Sequence, residues 1–305
     1  MSRRPSWLYE GARVLDPAED REGIVQFIGD WEDPKTRRFI PEAVFLRPEG
    51  GGVTGRTSST RRHRGGPAAA RGHPTPTTRS TMAIRTFGHA TITLPELDEP
   101  GLYLSNVDSL DSSRGTIQDF AYGDADLRSL DLAQTQLVTG RIASMRAKRV
   151  ELEAVNLHGV EITGSDLGSA RWTGSKLTRV HIRDCKLMGA ALDSLVLDDV
   201  LFEDCKFDFA TFEKVRATGP VAFIGCVLTE ATFTDCELSD SVFTDCTLRL
   251  TEFGTGRYRN TDLRENDLSA IRGVANLAKV RIDPGQQSDL AEALVSELDI
   301  TVGDD

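Results

Sequence analysis

From Tyr122 to Ala217 every fifth residue of this chain is apolar, through Leu127, Leu132, Leu137, Ile142, Leu152, Leu157, Ile162, Leu167, Trp172, Leu177 and Phe202. After a slip of one residue the beat resumes at Phe223. It then continues through Leu228, Phe233, Leu238, Phe243, Leu248, Phe253, Tyr258 and Leu263 to Leu268. None of the thirty ladder positions is charged or polar, although Ala147 and Ala217 are small. A period of five fits neither an α-helix, at 3.6, nor a flat strand, at 2.0. Self-similarity at a fixed period over this length predicts a solenoid.

Two residues before each ladder position the side chains are small or compact, as at Ala125, Val155, Ser165, Ala170, Ser175, Val180, Ala190 and Ala210. All five cysteines, Cys185, Cys205, Cys226, Cys236 and Cys246, fall in this slot. Free cysteine behaves as a small hydrophobe, so the slot is expected to face inward. Ala125-Asp126-Leu127, Ser165-Asp166-Leu167, Thr261-Asp262-Leu263 and, less closely, Val155-Asn156-Leu157 carry a further pattern. It resembles the pentapeptide-repeat family, whose units read approximately Ala-(Asp/Asn)-Leu-X-X. The resemblance covers 120–270 strongly and 92–283 more loosely.

The resemblance implies an all-β fold, a right-handed quadrilateral β-helix with four pentapeptides per coil. Thirty units then give about 7–8 coils and a rod roughly 36 Å long, at about 4.8 Å per coil. The cysteines agree with a 20-residue coil. Cys185, Cys205, Cys226 and Cys246 are separated by 20, 21 and 20 residues and should stack on one face, with Cys236 opposite. Stacked Cβ atoms about 4.8 Å apart are too distant for a disulfide, which needs about 3.8 Å. Neither a Cys-x-x-Cys pair nor a nearby histidine points to a metal, so a packed thiol ladder is expected. The slip at Ala217-Thr218-Gly219-Pro220-Val221-Ala222-Phe223 is read as a bulge at an irregular corner.

Four regions follow. Residues 1–52 carry short apolar segments at 23–29 and 43–46 between Asp, Pro and Gly, and predict a small β-rich module. Residues 53–81 hold six arginines, no acidic residue and one large aliphatic side chain, Val53, so a disordered basic linker is expected. Met82 opens a run, Ala-Ile-Arg-Thr-Phe-Gly, that resembles a natural start. Two adjacent reading frames joined here are one expectation, which a mature N-terminus at Met82 would support. Residues 82–283 form the β-helix. Its first coil is read from Ile92, Leu97, Leu102, Val107 and Ile117, with Ser112, Pro95 and Pro100 interrupting the register. At 284–305 the period changes: Leu290, Leu294 and Leu298 define a C-terminal amphipathic capping helix after Asp283-Pro284-Gly285. That stripe either caps the last coil or forms a C-terminal homodimer, as the resemblance implies for the gyrase-binding members, leaving monomer and dimer both open.

Charge bears on function. The formal net charge is -11, but residues 1–100 carry 15 basic and 13 acidic side chains against 21 and 34 in residues 101–305. An acidic repeat half argues against direct nucleic-acid binding and for a basic protein partner. No apolar run approaches the 18 or so residues that span a bilayer. The chain reads as cytoplasmic, with no membrane partner. His158 and His181 flank ladder positions, no nucleophile has a recognisable base, and no phosphate-binding glycine loop is present, so no enzyme, cofactor or metal is expected.

Some pentapeptide-repeat proteins mimic DNA and bind gyrase or protect it from quinolones, so the resemblance makes gyrase one partner to consider. A 36 Å stretch of B-DNA carries roughly 21 charges, whereas residues 117–268 have 25 acidic and 17 basic side chains. The acidity is concentrated in 184–245, with 13 acidic and 4 basic residues, between net-positive flanks. The band comprises Asp184, Asp193, Asp198, Asp199, Glu203, Asp204, Asp208, Asp240 and Asp245. Asp184, Asp204 and Asp245 are expected along one corner, with Gly225 in the remaining slot. A rigid, non-catalytic interaction scaffold with an unknown protein partner is the first reading and DNA mimicry toward gyrase the alternative.

Overall fold

An apolar residue every five positions can be buried throughout only if the chain turns after each pentapeptide. The computed structural model, which describes residues 13–16, 21–32, 39–48, 83–111, 115–301 and 303, turns in this way. The chain divides into two units, Met1–Pro76 and Thr77–Asp305. In the first, β1 (Arg13–Asp16), β2 (Arg21–Glu32) and β3 (Phe39–Pro48) form an antiparallel sheet in the order β1-β2-β3. The register between β2 and β3 shifts between Val25 and Phe27 and again between Gly29 and Trp31. The expectations for 53–81 and for a start at Met82 lie outside the described residues.

The second unit is a four-sided parallel β-solenoid of about seven turns. Strands Gln136–Ala143, Asn156–Thr163, Lys176–Arg183 and Val196–Glu203 stack in parallel, so that Leu137, Leu157, Leu177 and Leu197 align at intervals of 20. A second stack aligns Leu152, Trp172, Leu192, Phe212, Phe233 and Phe253. Four faces result. Face 1 carries Ile162, Ile182 and Phe202; face 2 carries Leu167, Leu187 and Phe207; face 3 carries Trp172, Leu192 and Phe212; face 4 carries Leu177, Leu197 and Ala217. The residue two after a ladder position commonly makes the corner with positive φ, as at Asp124, Ser144, Asp184, Asp204 and Asp245, between 51 and 55°. Asp and Asn tolerate this left-handed region better than most side chains, which biases corners toward them.

The slip is a corner insertion. Leu197 pairs with Ala217, but Val200 pairs with Val221, so the extra residue lies in Thr218-Gly219-Pro220. Gly219 packs closely there: a Cβ would lie 2.0 Å from Asp198 Oδ1, so any larger residue would have to displace that carboxylate.

The core is built in rungs. Phe202, Phe223 and Phe243 stack with centroids 4.8 and 4.6 Å apart, and Phe212, Phe233 and Phe253 at 4.5 and 5.4 Å. The two columns meet edge to face, as between Phe233 and Phe243. Toward the N-terminal end the ladder is aliphatic apart from Tyr122 and Trp172, and a cavity of about 20 Å³ remains between Leu132, Leu152, Ile162 and Trp172. That is room for about one water, but the lining offers too few polar partners to hold one. All five cysteines are free and buried. Cys226 donates to the carbonyls of Phe202 and Ile224 at 3.5 Å, and Cys205 to those of Ile182 and Glu203 at 3.4 and 3.3 Å. Burial pushes the Cys226 thiol up and the Cys236 thiol up to about 11. Among the described residues no cluster of His, Cys, Asp and Glu could hold a metal.

Two segments differ from expectation. Residues 83–94 are not part of the first coil. Strands β4 (Ala83–Phe87) and β5 (Ala90–Leu94) form an antiparallel hairpin on the outside of the solenoid. Ile92 therefore shares the five-residue register by number alone. The coils begin later, with β6 (Ser105–Asn106) on β7 (Thr116–Gly123), where Ser105 pairs with Phe120, fifteen residues on.

At the other end α1 (Gln286–Glu297) lies over the last coil as expected, but of the leucine stripe only Leu290 packs on it. Gln286 is buried and donates to the carbonyls of Leu263 and Asn266 at 2.9 and 2.6 Å, while its Oε1 accepts from the Asp283 N–H. Ala293 is 1% exposed and Leu290 packs on the core, whereas Leu294 and Leu298 are 37% and 60% exposed. The final turn offers open carbonyls, and an amide satisfies them where a leucine would leave them bare.

Candidate protein-docking surface

Mapped onto the four faces, the nine acidic residues form a girdle around the rod. Asp193 lies on face 3, Asp198 on face 4, Glu203 on face 1 and Asp208 on face 2. Asp199 and Asp240 stand at the corner between faces 4 and 1, with φ of 55 and 62°. Asp184, Asp204 and Asp245 share the corner between faces 1 and 2, with Gly225 at φ 62° in the coil between the last two. Backbone bonds stack this corner coil on coil, from the Asp184 N–H to the Glu203 carbonyl at 3.0 Å and from the Asp204 N–H to that of Ile224 at 2.9 Å. A Cβ on Gly225 would meet Asp204 Oδ1 at 2.4 Å, so the glycine leaves room for the carboxylate below it.

Several of these carboxylates have partners within the chain. Residues immediately preceding ladder positions point outward and are usually polar, but on face 1 three successive ones are Leu201, Ala222 and Val242. All three are buried, under Ala90, Ile92 and Leu94 of the hairpin, with Ala83, Phe87 and Ile224 alongside. The hairpin also binds acid. Arg85 makes a bidentate pair with Glu203 at 2.8 and 2.6 Å, and Glu203 further contacts His181 Nε2 at 2.9 Å. The Thr93 N–H donates to Asp199 Oδ1 at 2.9 Å. At the turn, His89 lies 3.2 Å from the Asp240 carbonyl and 3.6 Å from Asp262, itself paired with Arg264. The hairpin thus runs along the rod axis, across coils from His181 to Asp262.

The charges respond to this packing. The Arg85 guanidinium holds the Glu203 carboxyl below its usual range, burial opposes it, and His181 assists. Burial dominates at His181 and lowers it below the ordinary imidazole value, against the pull of Glu203 and Glu161.

Glu203 and Asp199 are therefore engaged by the chain itself, Asp193 accepts from the Ser194 hydroxyl at 2.8 Å, and Asp198 fills the space below Gly219. Asp184, Asp204 and Asp245 remain exposed and in register, although Asp184 also lies 3.5 Å from the Arg183 guanidinium. Sequence reasoning missed the hairpin site, whose signal was available: Leu201, Ala222 and Val242 are an apolar column at coil spacing on positions that should face water.

The repeat itself is recognised by family models. Residues 156–193 match the model described as pentapeptide repeats (8 copies), and residues 195–272 match the pentapeptide repeat region. Residues 156–193 and 195–272 are therefore pentapeptide repeats. No curated protein sequence matches the chain. Among solved structures, a trypsin-treated form of QnrB1, a plasmid-mediated fluoroquinolone resistance protein, is 16% identical. It has a TM-score of 0.39, with 65% of this chain and 96% of that chain covered. Full-length QnrB1 is 19% identical at a TM-score of 0.31, covering 59% and 89%. HetL, a pentapeptide repeat protein involved in heterocyst differentiation regulation from the cyanobacterium Nostoc sp. strain PCC 7120, is 17% identical at 0.28, covering 54% and 86%. Among the described residues no helix is long and apolar enough to cross a membrane.

Proposed function

We propose that this chain is a non-catalytic interaction scaffold that docks a basic protein surface against the corner of Asp184, Asp204 and Asp245. The observation that carries this reading is the stacking of three exposed carboxylates on a rigid corner, with the other acidic residues spread over all four faces or held internally. Exposed carboxylates in a row raise the local concentration of basic partners and speed their encounter. In a pull-down at about 0.05 M and about 0.5 M salt, an electrostatic corner should retain its partner only at the lower ionic strength. Replacing the three aspartates by asparagine should abolish capture without unfolding the rod. Capture by the triple variant equal to that of the parent chain would refute the reading.

DNA mimicry toward gyrase is the second reading, favoured by the local concentration of 13 acidic against 4 basic residues in 184–245. It asks for a continuous charged strip, and the girdle disperses its charge. A supercoiling assay separates the two, since a mimic must inhibit or protect gyrase at micromolar protein. The exposure of Leu294, Leu298 and Ile300 favours a second copy of this chain at the C-terminal end. Light scattering on the full chain and on Leu298→Asp should then report dimer and monomer respectively.

A further inference from the structure

The register of the hairpin determines which of its backbone groups are used. Phe87 pairs with Ala90 across the turn, Thr86 with Thr91, Arg85 with Ile92, Ile84 with Thr93 and Ala83 with Leu94. In an antiparallel pair, closely bonded couples alternate with couples whose N–H and C=O point sideways. Phe87–Ala90 closes a two-residue turn and is a bonded couple, so Thr86–Thr91 and Ile84–Thr93 are the outward ones. Two observations fix this phase independently. The hydroxyls of Thr86 and Thr91 approach to 3.3 Å, as side chains of an outward couple should, and the Thr93 N–H reaches sideways to Asp199. The outer edge of β5 therefore rests against the corner between faces 4 and 1.

The other edge faces the opposite way. Arg85 sits over Glu203, and a Cβ on Gly88 would meet Asp262 and Arg264 at 2.9 and 3.6 Å. Glu203 and Arg264 are the residues that lead from face 1 into the corner of Asp184, Asp204 and Asp245. Ile84 and Thr86 thus turn their backbone N–H and C=O toward that corner. No group among the described residues takes them up on that side, and the Ile84 side chain is 64% exposed.

We propose that the outer edge of β4 and the aspartate corner beside it form one groove, which takes an extended, arginine- or lysine-bearing segment of a partner protein as a third strand. This deepens the reading of the corner given above and rests on it. The edge supplies main-chain hydrogen bonds at Ile84 and Thr86, and Ile84 supplies an apolar cross-strand contact. The corner supplies charge complementarity, within reach of long basic side chains leaning off such a strand. Both run along the rod axis, so one extended segment meets both at once.

The test uses the full chain and an eight-residue peptide alternating arginine and valine, with a glutamate–valine peptide as control. The arginine peptide should bind, slow hydrogen exchange at the Ile84 and Thr86 amides, and lose affinity as salt rises; the control should not bind. Thr86→Pro removes one outward N–H and leaves the bonded couples intact, so affinity should fall about tenfold, as expected for one lost hydrogen bond. Exchange at Ile92 reports whether the hairpin stays docked. If it does not, protection of Ile84 and Thr86 in the parent chain decides. Absence of peptide binding overturns the groove, as does undiminished affinity in Thr86→Pro with Ile92 still protected. In the latter case loss of binding on replacing Asp184, Asp204 and Asp245 by asparagine leaves the corner standing alone. Binding that survives that replacement at every salt concentration overturns corner and groove together.

Discussion

At the scale of single residues the solenoid is governed by what the coil above leaves free. Phe120 occupies a slot where most coils place a small residue, and the coil above compensates with Gly140, where a Cβ would lie 2.1 Å from the Phe120 ring. Gly140→Ala should therefore destabilise the protein by about 1–3 kcal/mol, as overpacking does. A lower urea midpoint would show it, and Phe120→Leu in the same chain should restore most of the loss. The cysteine column gives a second expectation. Each thiol is buried and donates to backbone carbonyls, and burial holds Cys236 up to about 11. A thiol reagent at neutral pH should label none of the five in the folded chain and all five in denaturant. Thiolate, not thiol, is the attacking species, and neither access nor ionisation is provided.

At the scale of elements the hairpin is the part that can come away, because few of its contacts are continuous with the coils. Ile92 is its anchor, and Ile92→Ala should weaken docking by about 2–4 kcal/mol. Faster hydrogen exchange confined to 83–94 is the expected result. Acid should loosen the same element. His181 has a folded value below its unfolded one, so its contribution is present above the unfolded value of about 6.5 and lost as pH falls below it. Glu203 is likewise held low, so its pairing with Arg85 is present above the unfolded carboxylate value and lost as pH falls through the folded one. Exchange at Ile92, corrected for its intrinsic pH dependence, should rise below about pH 6.5, and His181→Asn should remove the first part of that rise.

The coils were legible in the sequence because burial in a solenoid repeats: Leu157, Leu177 and Leu197 meet the same environment and obey one rule. The hairpin was legible only from the side it covers, the apolar column of Leu201, Ala222 and Val242, since nothing near Ala90, Ile92 and Leu94 in sequence says what buries them. The corner of Asp184, Asp204 and Asp245 was legible from spacing. That Glu203 and Asp199 are held internally was not, because their partners lie over a hundred residues earlier. The stripe of Leu290, Leu294 and Leu298 gave the helix, but hydrogen bonding by Gln286, invisible to a hydrophobic pattern, decided how it sits.

At the scale of the whole molecule, a solenoid's stability is a sum over coils and their interfaces. The two halves of the rod differ in both terms. Coils from Phe202 to Phe253 have stacked rings and the hairpin across them, whereas those from Leu132 to Trp172 enclose a cavity. Native-state hydrogen exchange should therefore show opening that begins at the N-terminal coils, with the greatest protection around Phe223 and Phe233. The inserted residue at Thr218-Gly219-Pro220 carries a different consequence. It divides the rod into two frames, each of which can be edited in whole turns without disturbing the other. Excising residues 156–175 removes one complete turn and rejoins Val155 to Lys176 in phase, so a shorter rod should still fold. Excising 156–174 throws every downstream leucine and phenylalanine off its face. Across the insertion the unit of exchange is 21 residues, so a natural duplication or loss of a turn at that point would be recognisable by its length.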